Sequence, residues 1–190
     1  GNVFSPEKDS IVQVSVVKHD TLTQHTTDSL PILYDLRLLS DKAKSEYQSK
    51  IKENEKRFKE ILLATGRPEI DYVIEQLETM GFFTAPASAN KHMSEDGGLC
   101  KHSLNVYDEA MGLKALQDKI HPGIMNNISD ESIAIAALLH DVCKADLYVK
   151  SVRQSKEIDG TWKKTRMFEC SEDAFPVGHG EKSVIMLLQW

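Results

Sequence analysis

The chain has 190 residues, of which 41% are hydrophobic and 27% charged, and its formal net charge at pH 7 is −6. This length supports one compact domain, and the acidic balance argues against a protein that coats nucleic acid through bulk electrostatics. Because its three cysteines have no Cys-x-x-Cys spacing and no stretch approaches the ~18 apolar residues of a membrane span, we expect a cytoplasmic protein with no membrane partner.

Residues 1–39 are predicted to form an N-terminal extension, and residues 40–190 a helical domain. Within the extension, residues 10–17 are rich in β-branched side chains and alternate imperfectly, which predicts a short strand. The apolar run at residues 184–190 lacks a cap, a glycine and a polar tail. We therefore expect the helical domain to be truncated at its C-terminus.

Helical periodicity dominates the domain, and capping residues mark the helix ends. Ser40 is suited to cap the first helix and Gly66 to stop it. Ser129 with Asp130 is suited to cap the fourth predicted helix, which precedes His140. The predicted helices cover about residues 41–65, 68–80, 99–116 and 130–139.

Residues 147–169 change the pattern and predict a β-hairpin that projects from the helical body. Apolar residues there flank Asp159-Gly160, a dipeptide favoured in type I′ turns. The basic residues of this segment are Lys150, Arg153, Lys156, Lys163, Lys164 and Arg166, against Glu157 and Asp159. Phosphate contact would explain the positive excess. A solvated hairpin whose charges deter edge pairing explains it as well, and we favour that second interpretation.

The most informative feature is the adjacent pair His140-Asp141 at the end of an apolar run, residues 133–139. A run without a polar face predicts a helix buried on all sides. A carboxylate there costs on the order of several kcal/mol unless it is paired or bound to a cation. Imidazole beside carboxylate suits a divalent metal, and His102 and His179 offer further ligands from separate elements.

The ligand types do not identify the metal. Mixed imidazole and carboxylate sites accept Mn, Fe, Ni, Co or Zn more readily than Ca or Mg, and they hold one ion or two. Such an ion lowers the pKa of bound water and neutralises charge on a phosphoryl oxygen. Taken alone, a histidine in a helix is more often structural, and a His-Asp pair can be a buried hydrogen bond. Their combination with the apolar run favours a metal.

Two segments resemble the HD-domain metal-dependent phosphohydrolases. They are Gly-Gly-Leu-Cys-Lys-His-Ser-Leu-Asn-Val-Tyr at residues 97–107 and Leu-Leu-His-Asp-Val-Cys-Lys at residues 138–144. The Gly-Gly-Leu-x-x-His-Ser form is closest to HD domains of bacterial 3′–5′ exoribonucleases and related uncharacterised hydrolases. The resemblance spans roughly residues 81–190. It implies a mainly α fold, an HD-type helical bundle into which the hairpin at about residues 147–169 is inserted.

The resemblance also implies roles for individual residues. His102, His140 and Asp141 would be metal ligands, with Asp141 central to catalysis. His179 matches a later histidine that serves a second metal in two-metal members. Lys144 resembles the family lysine that contacts substrate phosphate.

Other positions fit the family less closely. His92 matches a loop position that often holds histidine, as a substrate contact or a group behind the ligands, although an exposed loop histidine is an equal reading. Cys143 stands where the family usually has glycine. The family's last aspartate lies on a helix beyond the position of His179, and no aspartate of this chain occupies that context.

Three functions follow. The first is a metal-dependent phosphohydrolase that acts on a phosphate ester of a nucleotide or of single-stranded nucleic acid, with Glu95 or Asp96 aiding proton transfer. The second is a nucleotide- or RNA-binding regulatory HD module without catalysis. The third is a structural helical domain whose His140-Asp141 pair is only a core hydrogen bond.

Overall fold

The computed structural model of the protein describes residues 40–156, 158–171 and 178–190. This part of the chain is mainly helical, with five α-helices and one antiparallel sheet of two strands. The predicted mainly α class and the hairpin are confirmed, whereas the HD-type bundle stays a prediction. The predicted N-terminal extension, residues 1–39, and its strand at residues 10–17 lie outside the described residues. None of the described helices has the length and apolar content needed to cross a membrane.

Helix α1 (Asp41–Ala64) begins and ends where the capping residues predict. Ser40 Oγ accepts a hydrogen bond from the Ala43 amide at 3.2 Å, which satisfies one of the unpaired donors at the helix start. Helix α2 (Ile70–Thr79) begins later than predicted, because Glu69 has a left-handed φ of 64° and cannot belong to the helix. A short 3₁₀ turn (Phe82–Thr84) follows it.

Helices α3 (Gly98–Ile120) and α4 (Asp130–Leu139) pack against each other. Ser129 caps α4 as predicted, with its Oγ accepting from the Ser132 amide at 3.2 Å. The prediction that the apolar run is buried on all sides is wrong. Ala134 and Ala137 are buried while Ala136 is exposed. Because alanine combines high helix propensity with little apolar surface, it can occupy a solvent face without making that face polar.

Strands β1 (Tyr148–Lys156) and β2 (Trp162–Cys170) form the hairpin, with Lys156 opposite Trp162 at its far end. Because the last strand pair is Lys156 with Trp162, the connection is longer than the two-residue turn that Asp159-Gly160 favours. Asp159 Oδ1 accepts from the Thr161 amide at 2.9 Å, so the aspartate closes a turn through its side chain. Helix α5 (His179–Gln189) completes the described fold.

The hydrophobic core lies where α1, α3 and α4 meet. Phe58, Phe82 and Phe83 contact one another with ring centroids 5.1 to 5.4 Å apart. Leu99 on α3 and Leu138 on α4 are fully buried in the same cluster. Since each of these leucines lies within one helical turn of a candidate ligand, burial of the core fixes the helices that present the site.

Candidate metal centre

The glycine pair at the start of α3 allows a loop to lie directly against the helix. Gly97 has a left-handed φ of 76°, which favours glycine. A Cβ on Gly98 would collide with the Met93 carbonyl oxygen. The close approach brings the loop residue His92 beside His102, with ring centroids 5.3 Å apart.

The C-terminal end of α4 presents the adjacent pair. His140 is the last residue in helical conformation, and Asp141 leaves the helix at φ −113° and ψ 20° before the 3₁₀ turn Val142–Lys144. His140 Nδ1 lies 2.8 Å from the Ala137 carbonyl oxygen, and since a carbonyl only accepts, Nδ1 is the donor. Nε2 therefore faces Asp141. The carbonyl end of a helix also carries partial negative charge, which favours a cation at this position.

Three nitrogens converge on one oxygen of Asp141. Its Oδ2 lies 3.4 Å from His102 Nε2, 3.2 Å from His140 Nε2 and 2.7 Å from Lys144 Nζ. The candidate ligand atoms of the two histidines and Asp141 all lie within 4.8 Å of one another. The predicted grouping of His102, His140 and Asp141 is thereby confirmed, and it joins residues 39 positions apart in the chain.

The donor set and its spacing fit a divalent ion. Ligand atoms bonded at about 2.0–2.1 Å to a common ion are separated by roughly 3.0–3.4 Å, which matches the two distances from Asp141 to the imidazoles. In neutral His140, the Nδ1 proton is used by Ala137, so Nε2 directs a lone pair at a carboxylate oxygen. That contact is repulsive unless a proton or a metal lies between the two atoms.

Electrostatics at the site favour an ionised carboxylate. Burial opposes ionisation of Asp141, but hydrogen bonds from His102, His140 and Lys144 outweigh it, so the pKa of the carboxyl lies well below its usual range. The hydrogen bond to Asp141 raises the pKa of His140 against the effect of burial. Partial desolvation, followed by the neighbouring His102 and Lys144, lowers the pKa of His92. The pKa of His140 is thus raised, whereas the pKa of His92 is lowered.

The neighbouring acidic residues are engaged by lysines. Glu95 Oε1 lies 3.1 Å from Lys101 Nζ, and Asp96 Oδ1 lies 2.7 Å from Lys150 Nζ. Neither carboxylate belongs to the group that gathers around Asp141. A role for Glu95 or Asp96 in proton transfer therefore stays a prediction.

His179 lies at the start of α5, outside the group of three ligands found among the described residues. Its carbonyl accepts from Cys143 Sγ at 3.2 Å, and its Nδ1 lies 3.9 Å from the same sulfur. The predicted role of His179 as a ligand of a second ion stays a prediction.

Helix α5 is attached to the turn that carries Asp141 and Lys144. Ser183 is 2% exposed, and its Oγ accepts from the Cys143 amide at 3.3 Å. Lys182 Nζ lies 2.8 Å from Asp146 Oδ1 on the same turn. Sequence reasoning did not single out Ser183, because one serine in a helical segment carries no signal of what it contacts.

Comparisons of the chain with protein-family models, with curated proteins and with solved structures found no match. Interpretation of the site therefore depends on its own geometry and on the residues that form it.

Proposed function

We propose that this protein is a metal-dependent phosphohydrolase that acts on a phosphate ester of a nucleotide or nucleic acid. The observation that carries the proposal is the convergence of His102 Nε2, His140 Nε2 and Lys144 Nζ on Asp141 Oδ2 at 3.4, 3.2 and 2.7 Å. The site brings together imidazole and carboxylate groups that can bind an ion. It also has an ammonium group that can bind a phosphate. The resemblance of residues 97–107 and 138–144 to HD-domain phosphohydrolases supports the same function.

Each residue has a defined part in this proposal. His102, His140 and Asp141 hold the ion, which when bound lowers the pKa of water and neutralises charge on a phosphoryl oxygen. The His140 ring is oriented by its bond to Ala137, a feature typical of metal-binding histidines. The metal is one of Mn, Fe, Ni, Co, Zn or Mg.

Lys144 and His92 are suited to bind substrate. The Lys144 side chain is 14% exposed, so a phosphate beside Asp141 is within reach of an ammonium that is largely shielded from water, where its charge acts more strongly. His92 is exposed and its pKa is lowered, so it is neutral at pH 7 and can both donate and accept hydrogen bonds. His179 is proposed as a ligand of a second ion.

A metal-dependence screen tests this function. Metal-free protein would be supplied with Mn²⁺, Ni²⁺, Co²⁺ or Mg²⁺ and assayed against nucleoside monophosphates, deoxynucleotides and short RNA. We expect turnover with at least one ion, and a loss of more than about 100-fold in His140→Ala and Asp141→Asn. His121→Ala is the matched control, since His121 is an exposed histidine at the opposite end of α3.

A second candidate is a nucleotide- or RNA-binding module without catalysis. It is favoured by the ion pair of Lys144 with Asp141, because this ammonium already neutralises the carboxylate. Saturable nucleotide binding without product release under every metal would replace the first function with the second. Full turnover in His140→Ala or Asp141→Asn would refute the metal centre itself.

A further inference from the structure

We propose that the β-hairpin formed by β1 and β2 is a docking surface for single-stranded nucleic acid, held beside the metal centre. Binding on the hairpin does not require hydrolysis. Its connection to the metal centre rests on the proposed function, because the bound strand would supply the phosphate ester.

The charge of the hairpin complements a polyanion. Between Lys150 and Arg166 the chain has six basic residues, named above, against Glu157 and Asp159, whereas the whole chain has a formal net charge of −6. Lys and Arg that neutralise phosphates release counterions, which drives association with nucleic acid. The rest of the chain is acidic on balance and repels the same polymer, which favours contact at the hairpin.

An exposed aromatic ring accompanies the charge, and a solvated hairpin whose charges only deter edge pairing, the interpretation favoured from the sequence, does not explain it. Trp162 is 67% exposed, although a side chain of this size is usually well covered. Lys156 pairs with Trp162 across the strands, and directly opposite residues project from the same face of a sheet. A cation beside an exposed ring is the combination with which proteins bind single strands, through phosphate contact and base stacking.

The face that carries Trp162 extends toward the metal centre. Lys150 and Lys156 share that face because side chains alternate along a strand. Lys150 Nζ lies 2.7 Å from Asp96 Oδ1, directly ahead of the glycine pair of α3. The distance along β1 between the two lysines is about 20 Å. A single-stranded nucleic acid bound on this face would run from Trp162 toward the loop beside His102.

An anionic bilayer is the other polyanionic surface to consider. Ile158 at the hairpin tip is fully exposed, as in loops that insert into membranes. Its neighbours in the sequence are Glu157 and Asp159, and negative charge beside an apolar residue opposes approach to a negatively charged leaflet. The strands rather than the tip therefore form the surface, and nucleic acid fits it better than lipid.

Fluorescence anisotropy of 5′-labelled 20-mers of oligo(U) and oligo(dT), measured with the full chain in excess EDTA, tests the hairpin without hydrolysis. We expect saturable binding that Trp162→Ala weakens roughly 5- to 100-fold, because stacking of one base is lost. Trp162→Phe should retain most of the affinity. The matched control is Leu188→Ala, at a residue on α5 that is 82% exposed.

Salt dependence tests the phosphate contacts. Lys156→Ala should reduce the slope of log affinity against log salt by about 0.7, the value for one lost contact with a single strand. Lys119→Ala is the charge-matched control, since Lys119 is exposed in the last turn of α3, at the end of that helix opposite the loop that binds Lys150.

Failure of this proposal is distinguishable from failure of the proposed function. Equal binding by the wild type and the Trp162 and Lys156 variants overturns the docking surface, whether or not the protein hydrolyses phosphate esters. Absence of oligonucleotide binding, with or without binding to phosphatidylserine vesicles, overturns it as well. Binding that depends on Trp162 and Lys156 without any turnover supports the docking surface and removes only the hydrolase.

Discussion

Lys144 and Asp141 form a short ion pair, with Nζ 2.7 Å from the carboxylate oxygen that also faces both imidazoles. A divalent ion held by His102, His140 and Asp141 has to share this oxygen with an ammonium. Two cations on one carboxylate repel each other. Binding of such an ion would therefore be coupled to the position of Lys144.

Substitution of Lys144 should separate metal binding from turnover. In Lys144→Ala, we expect affinity for Co²⁺, followed by its visible absorption, to increase about 10-fold, or about 1.4 kcal/mol, because the competing charge is gone. Turnover at saturating metal should fall, because the phosphate loses its ammonium partner.

Lys56→Ala is the matched control for this experiment. Lys56 pairs with Glu60 on α1 and its side chain is 78% exposed, so its removal should change neither quantity. Weaker Co²⁺ binding in Lys144→Ala would show that the ammonium supports the site instead of competing with the ion.

Metal affinity should increase with pH across the titration of His140. Its bond to Asp141 raises its pKa above 6.5. In the metal-free protein, the stability contributed by protonated His140 is therefore fully present below pH 6.5 and lost as pH rises through the folded pKa. Because a metal binds only unprotonated imidazole, Co²⁺ affinity should rise about tenfold per pH unit for each displaced proton and then level off. The carboxyl of Asp141, with its lowered pKa, stays ionised throughout this range.

The check is a Co²⁺ titration at intervals from about pH 5.5 to 8.5. Chemical denaturation of the metal-free protein over the same pH range measures the free energy of unfolding, to which His140 should contribute less as pH rises. In His140→Ala this pH-dependent contribution should be absent. Co²⁺ affinity that is independent of pH below about 7 would contradict the assignment of His140 as a ligand.

Two glycines of α3 should respond in opposite directions to alanine. Gly98→Ala should lower the free energy of unfolding by about 1–3 kcal/mol, since its Cβ would collide with the Met93 carbonyl oxygen. A Cβ at Gly112 meets no atom within 4 Å in the described structure, so Gly112→Ala should raise that free energy by up to about 1 kcal/mol. Urea denaturation measures both.

Gly98→Ala should also weaken Co²⁺ binding, because the loop and the start of α3 must separate where His92 contacts His102. Unchanged metal affinity in a destabilised Gly98→Ala would mean that the loop does not help to position the site.

The three thiols should differ sharply in reactivity. Cys100 and Cys143 are each 1% exposed, and burial raises the pKa of Cys100 to about 12 and raises that of Cys143. Cys170 on β2 is exposed. Because the thiolate is the reactive form, a thiol reagent at about pH 8 should label one equivalent quickly and the other two only in denaturant. Cys170→Ser should remove the fast phase, and a fast phase that remained would show that the turn after Asp141 opens readily.

Local sequence signals were sufficient for most of the secondary structure. Ser40, Gly66 and Ser129 act on backbone groups within a few residues of themselves, so capping chemistry placed the ends of α1 and the start of α4. Because these signals are local, they did not predict the late start of α2 or the exposed face of α4. The left-handed Glu69 and the exposed Ala136 depend on what packs around them, and neither residue type indicates this.

The sequence by itself determined which chemistry is available: a histidine and an aspartate adjacent at a helix end, a lysine three residues later, and a histidine behind a glycine pair. Only the tertiary structure decided that the imidazole of His102 reaches the same Asp141 oxygen as His140 and Lys144, while His179 lies beside Cys143. Composition and periodicity act along one helix at a time. The meeting of α3 and the end of α4 is set by burial of their leucines in a common core, which depends on the whole chain at once.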